Sequence, residues 1–136
     1  MCIRDRVVAE VLSANNIKVY LFSALRTTPE LSFAVRHLNC DAGIVLTASH
    51  NPPEYNGYKV YWGDGGQIVP PEDREIIAEI DALSFEDIQF DAKPNLIEAI
   101  DTKVDEVFFN ESVKNGSFNA KAVSYTHLTL PTIYSV

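Results

Sequence analysis

Cysteine is nearly missing from this chain. Cys2 and Cys40 are its two cysteines, and neither stands at a spacing that would hold a metal. Without a visible secretory leader, so few thiols point to a reducing, cytosolic setting and to a fold not built on disulfides. Long apolar runs are missing as well: none approaches the roughly eighteen residues that a membrane span needs. Basic residues are scarce, with 11 Lys and Arg against 19 Asp and Glu and a formal charge of −8. That balance excludes nucleic acid and an anionic membrane as expected partners. It leaves a phosphorylated small molecule open, because such a ligand answers to the local field. Thirteen of the nineteen acids fall between Glu72 and Glu111, so the acidity belongs to the second half of the chain. The pattern reads as solvated helical surface, not as a metal site. Internal repeats are absent.

What is present is an ordinary globular composition, 46% hydrophobic and 22% charged over 136 residues. That is enough for one domain with a real core. Residues 6–14 carry Val7, Val8, Val11 and Leu12 at helical spacing, and Asn15-Asn16 closes the helix. Residues 17–22 read as a strand. A second helix is expected after Thr28 as N-cap, with Pro29 in its first turn and Leu31, Ala34, Val35 and Leu38 as its buried stripe. Strand, helix and strand in succession imply a crossover, with the two strands parallel or near neighbours. A third helix is expected from Pro70-Pro71-Glu72-Asp73 with Ile76, Ile77, Ile80 and Leu83 inward. Phe85, Ile88 and Phe90 suggest an edge strand, and residues 95–113 show scattered helical periodicity in Ile97, Ile100, Val104 and Phe108. Cys40 is expected to be a small, unreactive buried hydrophobe, and His37 a packing residue.

The informative stretch is residues 42–62. Ala42-Gly43-Ile44-Val45-Leu46 is short, apolar and β-branched, and reads as a strand buried on both faces of an α/β sheet. It runs into Thr47-Ala48-Ser49-His50-Asn51, turns at Pro52-Pro53, and returns through Asn56-Gly57 into an antiparallel strand, Tyr58-Lys59-Val60-Tyr61-Trp62. Ligands of such sheets gather beyond the carboxyl ends of the strands, which is where Ser49 emerges. A hydroxyl there, with an imidazole beside it and an ammonium ten residues later, suits the handling of a phosphoryl group.

The loop from Thr47 through Ser49-His50-Asn51-Pro52 and Tyr55-Asn56-Gly57 to Lys59 resembles the active-site serine loop of the α-D-phosphohexomutases, the phosphoglucomutase and phosphomannomutase superfamily. Residues 56–62 followed by Gly66-Gln67-Ile68 are most similar to the branch that includes phosphopentomutase-like enzymes. The resemblance extends over roughly residues 7–113 and implies a three-layer α/β/α domain. Its mixed sheet would have parallel strands and one antiparallel edge strand, as part of the first of four domains. On this reading residues 114–122 are a linker toward a second domain. Residues 1–6 and 123–136 resemble translated adapter sequence and are set outside the fold.

The resemblance implies the chemistry of a phosphomutase that interconverts sugar 1-phosphates and 6-phosphates, or pentose 1- and 5-phosphates. Ser49 would be the phosphoserine and Lys59 the general acid and base. His50, Asn51, Lys59 and Arg26 would face the phosphosugar. Mg2+ would be held by the phosphate on Ser49 and by ligands in a further domain, and a sugar 1,6-bisphosphate would act as activator. The remaining domains of the longer enzyme are the implied partners, and the chain alone is expected to be inactive. By itself Arg26 reads as a surface arginine, Lys59 as an outward lysine of a half-buried strand, and His50 as a loop-capping residue. Asn51 and Asn56-Gly57 suit loop shaping, and Thr47 is read as support for Ser49. Two other readings stand beside this one. A serine hydrolase using Ser49 and His50 is disfavoured, since adjacent side chains rarely converge and no Gly-x-Ser-x-Gly turn occurs. A non-catalytic module that keeps the fold is the other.

Overall fold

The computed structural model describes residues 3–116. The tail from 123 and the linker beyond Gly116 therefore lie outside the described residues. Helix α1 (Ile3–Ala14) leads to strand β1 (Val19–Leu21), helix α2 (Thr28–His37) and strand β2 (Ala42–Thr47). Strand β3 (Gly57–Trp62), helix α3 (Glu72–Ala82), strand β4 (Ile97–Ala99) and helix α4 (Asp101–Lys114) follow.

Helix α1 begins at Ile3 and so takes in residues 3–6 of the segment set apart by sequence, and Arg6 pairs with Glu10 at 2.7 Å. Its buried residues are Ala9, Ser13 and Ala14, while Val7 is exposed. Asn16 takes the left-handed conformation expected of the helix terminus, with φ 66°. The cap of α2 is Thr27 rather than Thr28: its side chain accepts the Glu30 N–H at 3.4 Å, which shifts the start by one residue.

The expected parallel and antiparallel pairings both occur, in separate two-stranded sheets. Strand β2 pairs antiparallel with β3 from Ala42 opposite Trp62 to Thr47 opposite Gly57. Strand β1 pairs in parallel not with β2 but with β4, Val19 opposite Ile97 and Leu21 opposite Ala99. The helical reading of residues 95–100 hid this strand. Three residues are too few to show a period, and Ile97 and Ile100 also fit a helix. Helix α4 keeps the rest of that reading, with Ile100 and Val104 buried against Ala34 of α2. Tyr20, Phe22, Phe33 and Leu38 pack around them, so the core lies where β1, α2 and α4 meet.

Two expectations about burial fail. Helix α3 forms where expected, yet none of its residues is buried, and Ile77, Ile80 and Leu83 are each more than half exposed. Its apolar stripe has no extensive contact with another described element. The segment with Phe85, Ile88 and Phe90 is not a strand. Residues Phe85–Asp87 form a single 3-10 turn closed by a capping box between Ser84 and Asp87. The following backbone is then satisfied by α1: Gln89 and Lys93 donate their N–H groups to Asn15 and Ser13 at 3.4 and 3.1 Å. Side chains thus do the work that a ladder would have done. Strand β2 is likewise half-buried rather than covered on both faces, with only Gly43 fully enclosed.

Gly43 sets how close α2 lies to β2. A Cβ at this position would run into Val35 Cγ2, and Leu31 stands next to it at 3.5 Å. Gly43→Ala is therefore expected to destabilise the fold by about 1–3 kcal/mol through overpacking. Urea denaturation would measure it, and an unchanged midpoint would show that α2 is free to shift.

Candidate active site

The serine turn grows out of the end of β2. Ladder pairing stops at Thr47, and the Asn51 N–H donates to the Ala48 carbonyl at 2.9 Å. Ser49 and His50 become the two corner residues of this turn. Ser49 has φ 55°, in the left-handed region. A residue with a Cβ is costly there, on the order of 1 kcal/mol or more, and persists only where its surroundings over-determine it. Part of that determination is visible: the Ser49 N–H donates to Thr47 Oγ1 at 3.0 Å. Thr47 thus supports Ser49, as its place in the sequence suggested. Ser49, His50 and Asn51 are all exposed.

The chain returns through one 3-10 turn, Pro53–Tyr55, into β3. The register then decides where the lysine goes. Lys59 stands opposite Val45, Gly57 opposite Thr47, and Tyr61 opposite Gly43. Directly opposed residues of an antiparallel pair share a face. Lys59 therefore lies on the same face as Thr47, one diagonal step away and within reach of a long side chain. It is half-buried. The serine turn continues from the Thr47 end of β2, and Lys59 lies on the face that Thr47 shares.

Arg26 goes elsewhere. Its guanidinium donates two hydrogen bonds to Asp105, Nε to Oδ1 at 2.8 Å and Nη2 to Oδ2 at 2.7 Å, and a longer one to Asp101 at 3.4 Å. It also lies 5.4 Å from the Phe22 ring. Asp105 is held below the usual carboxylate range, chiefly by Arg26. Asp101 is held low chiefly by the Ser23 N–H, which donates to it at 2.9 Å. Glu30 moves the other way. It is 3% exposed, its Oε1 has no hydrogen-bond partner, and Arg26 Nε stays 3.9 Å from it. Desolvation first, and then Asp105 as a hydrogen-bonded neighbour, raise its pKa. This cluster joins the β1–α2 junction to α4. Sequence reasoning missed Glu30 and both aspartates, although Asp101 and Asp105 stand four apart on one helix face, the spacing that suits a shared arginine.

His37 is exposed and stacked on Phe33 at 5.3 Å, as a packing residue should be. A shallow groove between α2 and α4 includes these two rings with Pro29 and Phe108, and none of the serine-turn residues. Cys40 is free and half-buried, and burial pushes its thiol upward, away from reactivity. Among the described residues no three His, Cys, Asp or Glu side chains converge on a cation site. These residues therefore do not by themselves fit a resident Mg2+.

The chain is thus an α/β domain with an exposed serine on a strained turn past a strand's carboxyl end and a lysine on the neighbouring strand. Its family is given by comparison with known proteins. Residues 5–87 match the phosphoglucomutase/phosphomannomutase alpha/beta/alpha domain I, and the chain belongs to that family. It is 50% identical over 78 residues to a phosphoglucomutase of Staphylococcus epidermidis, an alignment covering 57% of this chain and 14% of that protein. To a phosphoglucomutase of Staphylococcus haemolyticus it is 44% identical over 93 residues, 68% of this chain and 17% of that one. To a probable phosphomannomutase of Haemophilus influenzae it is 46% identical over 87 residues, 62% of this chain and 18% of that one. The chain thus spans less than a fifth of the length of these relatives.

Two outcomes follow from the strain and the buried acid. Ser49→Gly is expected to raise stability by up to about 1 kcal/mol, because glycine accepts φ 55° without a Cβ penalty, whereas Ser49→Ala is not. Chemical denaturation of both variants decides it, and equal stability would contradict the strain. For Glu30 the sign is opposite to that of Asp105. The stability from Asp101 and Asp105 is present above their unfolded range near pH 4 and is lost as pH falls further. Glu30, with its raised pKa, costs stability as pH rises above about 4. Glu30→Gln, which mimics the protonated acid, should therefore gain melting temperature over the parent at pH 8 more than at pH 4. A difference independent of pH would refute a raised Glu30.

Proposed function

We propose that this chain is the serine-bearing part of a phosphohexomutase, in which Ser49 carries the transferred phosphoryl group. The observation that carries the proposal is the exposed Ser49 on its left-handed turn, inside the stretch that matches the family domain. In the donating step a sugar hydroxyl oxygen bonds to the phosphorus of phosphorylated Ser49 while the Oγ–P bond breaks. The hydroxyl proton passes by way of the Lys59 amine to Ser49 Oγ. The resulting bisphosphate turns end for end, and Ser49 Oγ takes the other phosphoryl group as its P–O bond to the sugar breaks. The proton then runs back through Lys59 to the sugar oxygen. Serine is a weak nucleophile at neutral pH, so positioning and charge stabilisation govern such a transfer.

Lys59 is assigned the proton transfer because the register sets it on the Thr47 face at the serine end. His50 and Asn51, exposed on the same turn, are assigned to the phosphosugar. Arg26 is read as a strut between the β1–α2 junction and α4, since its donors are directed to Asp105 and Asp101. The Mg2+ and the sugar 1,6-bisphosphate activator belong to the longer protein, whose other domains would also select the sugar.

The test uses a chimera in which these residues replace the matching stretch of the Staphylococcus epidermidis phosphoglucomutase. Exposure to glucose 1,6-bisphosphate should add the mass of one phosphate, Ser49→Ala should abolish that gain, and Lys59→Ala should slow it on the order of a hundredfold or more. Phosphate uptake that survives Ser49→Ala would sink the assignment.

A further inference from the structure

The strain at Ser49 raises the question of what maintains it. Two hydrogen bonds close the turn, Asn51 N–H to Ala48 O at 2.9 Å and Ser49 N–H to Thr47 Oγ1 at 3.0 Å. The first fixes where the chain reverses and leaves the corner residues a choice of conformations. The second acts on the peptide group immediately before the Ser49 Cα, and so bears directly on φ at that residue. It is also made by a side chain whose own freedom is small. Thr47 is β-branched, which restricts its χ1, and it is the last residue of β2 held by the ladder, opposite Gly57. No side chain of its cross-strand partner crowds it. A rigid acceptor anchored in the sheet thus reaches two residues forward to the reactive residue.

We propose that Thr47 is the positioning residue of the serine turn: its hydroxyl, by accepting the Ser49 N–H, holds Ser49 in the left-handed conformation that presents Oγ to the phosphoryl group. Thr47 touches no reacting atom in this scheme and acts through Ser49. The catalytic half of the proposal rests on the phosphohexomutase reading above, whereas the conformational half does not. Loss of the hydroxyl lets φ at Ser49 relax toward ordinary values and swings Oγ away from the line of transfer. A displacement of about 1 Å suffices to slow a positioned reaction on the order of a hundredfold. The groups that meet the phosphosugar are unaltered, so the loss falls on kcat and leaves KM nearly unchanged.

Two measurements on Thr47→Val and Thr47→Ser test this. In the 136-residue chain, hydrogen exchange followed by NMR should show the Ser49 amide exchanging about fivefold faster in Thr47→Val, as expected for losing one hydrogen bond, and near the parent rate in Thr47→Ser. In the chimera, Thr47→Val should acquire phosphate from glucose 1,6-bisphosphate on the order of a hundredfold more slowly, with KM kept, and Thr47→Ser should restore the rate. Unchanged Ser49 exchange in Thr47→Val would overturn the proposal, as would a valine variant that transfers at the parent rate. A parent chimera that takes up no phosphate would sink the phosphohexomutase reading, and with it the catalytic half, while the exchange result still decides the conformational half.

Discussion

Helix α2 is what makes one body of this chain. Among the described residues no backbone hydrogen-bond ladder joins the β1–β4 pair to the β2–β3 pair, so their relation rests on side-chain packing. The helix meets β2 through Val35 and Leu31 over Gly43, and meets α4 through Ala34 against Ile100 and Val104. Close approach requires small residues at these contacts, and Ala34 and Gly43 supply them. The Arg26 cluster secures the same helix at its N-terminal end, tying the residues just before it to α4. The serine turn is anchored to this arrangement through β2, the strand on which α2 packs.

Within that frame the site is built from opposing local costs. Ser49 occupies a conformation that serine ordinarily avoids, and it is kept there by Thr47 and by the Ala48–Asn51 reversal. The turn is exposed, and half-buried Lys59 lies on the Thr47 face of the strand pair from which the turn emerges. Arg26, by contrast, shows how a residue that looks available for an anion can be committed to structure. Three carboxylates lie within 4 Å of it, and burial, with Asp105 beside it, raises the pKa of the enclosed one, Glu30, against the pull of Arg26.

Much of the fold was legible because its signals are local. Asn16 at the end of α1 and Pro29 in the first turn of α2 each act through their own backbone. The antiparallel return from β2 to β3 was equally plain, since a short connection leaves an extended chain few other partners. Burial was less legible. The apolar residues of α3 have helical spacing and yet remain exposed, because spacing specifies a face and says nothing of what covers it.

The sequence by itself determined the serine loop, its order of residues, the strands that bracket it and hence the end of the sheet at which Ser49 emerges. These depend on contacts between neighbours along the chain, where few geometries compete. Only the tertiary structure decided that β1 takes β4 as its partner and that Arg26 is claimed by an aspartate 79 residues away. Partners so distant in sequence are chosen by which surfaces packing brings together, and no local pattern encodes that choice.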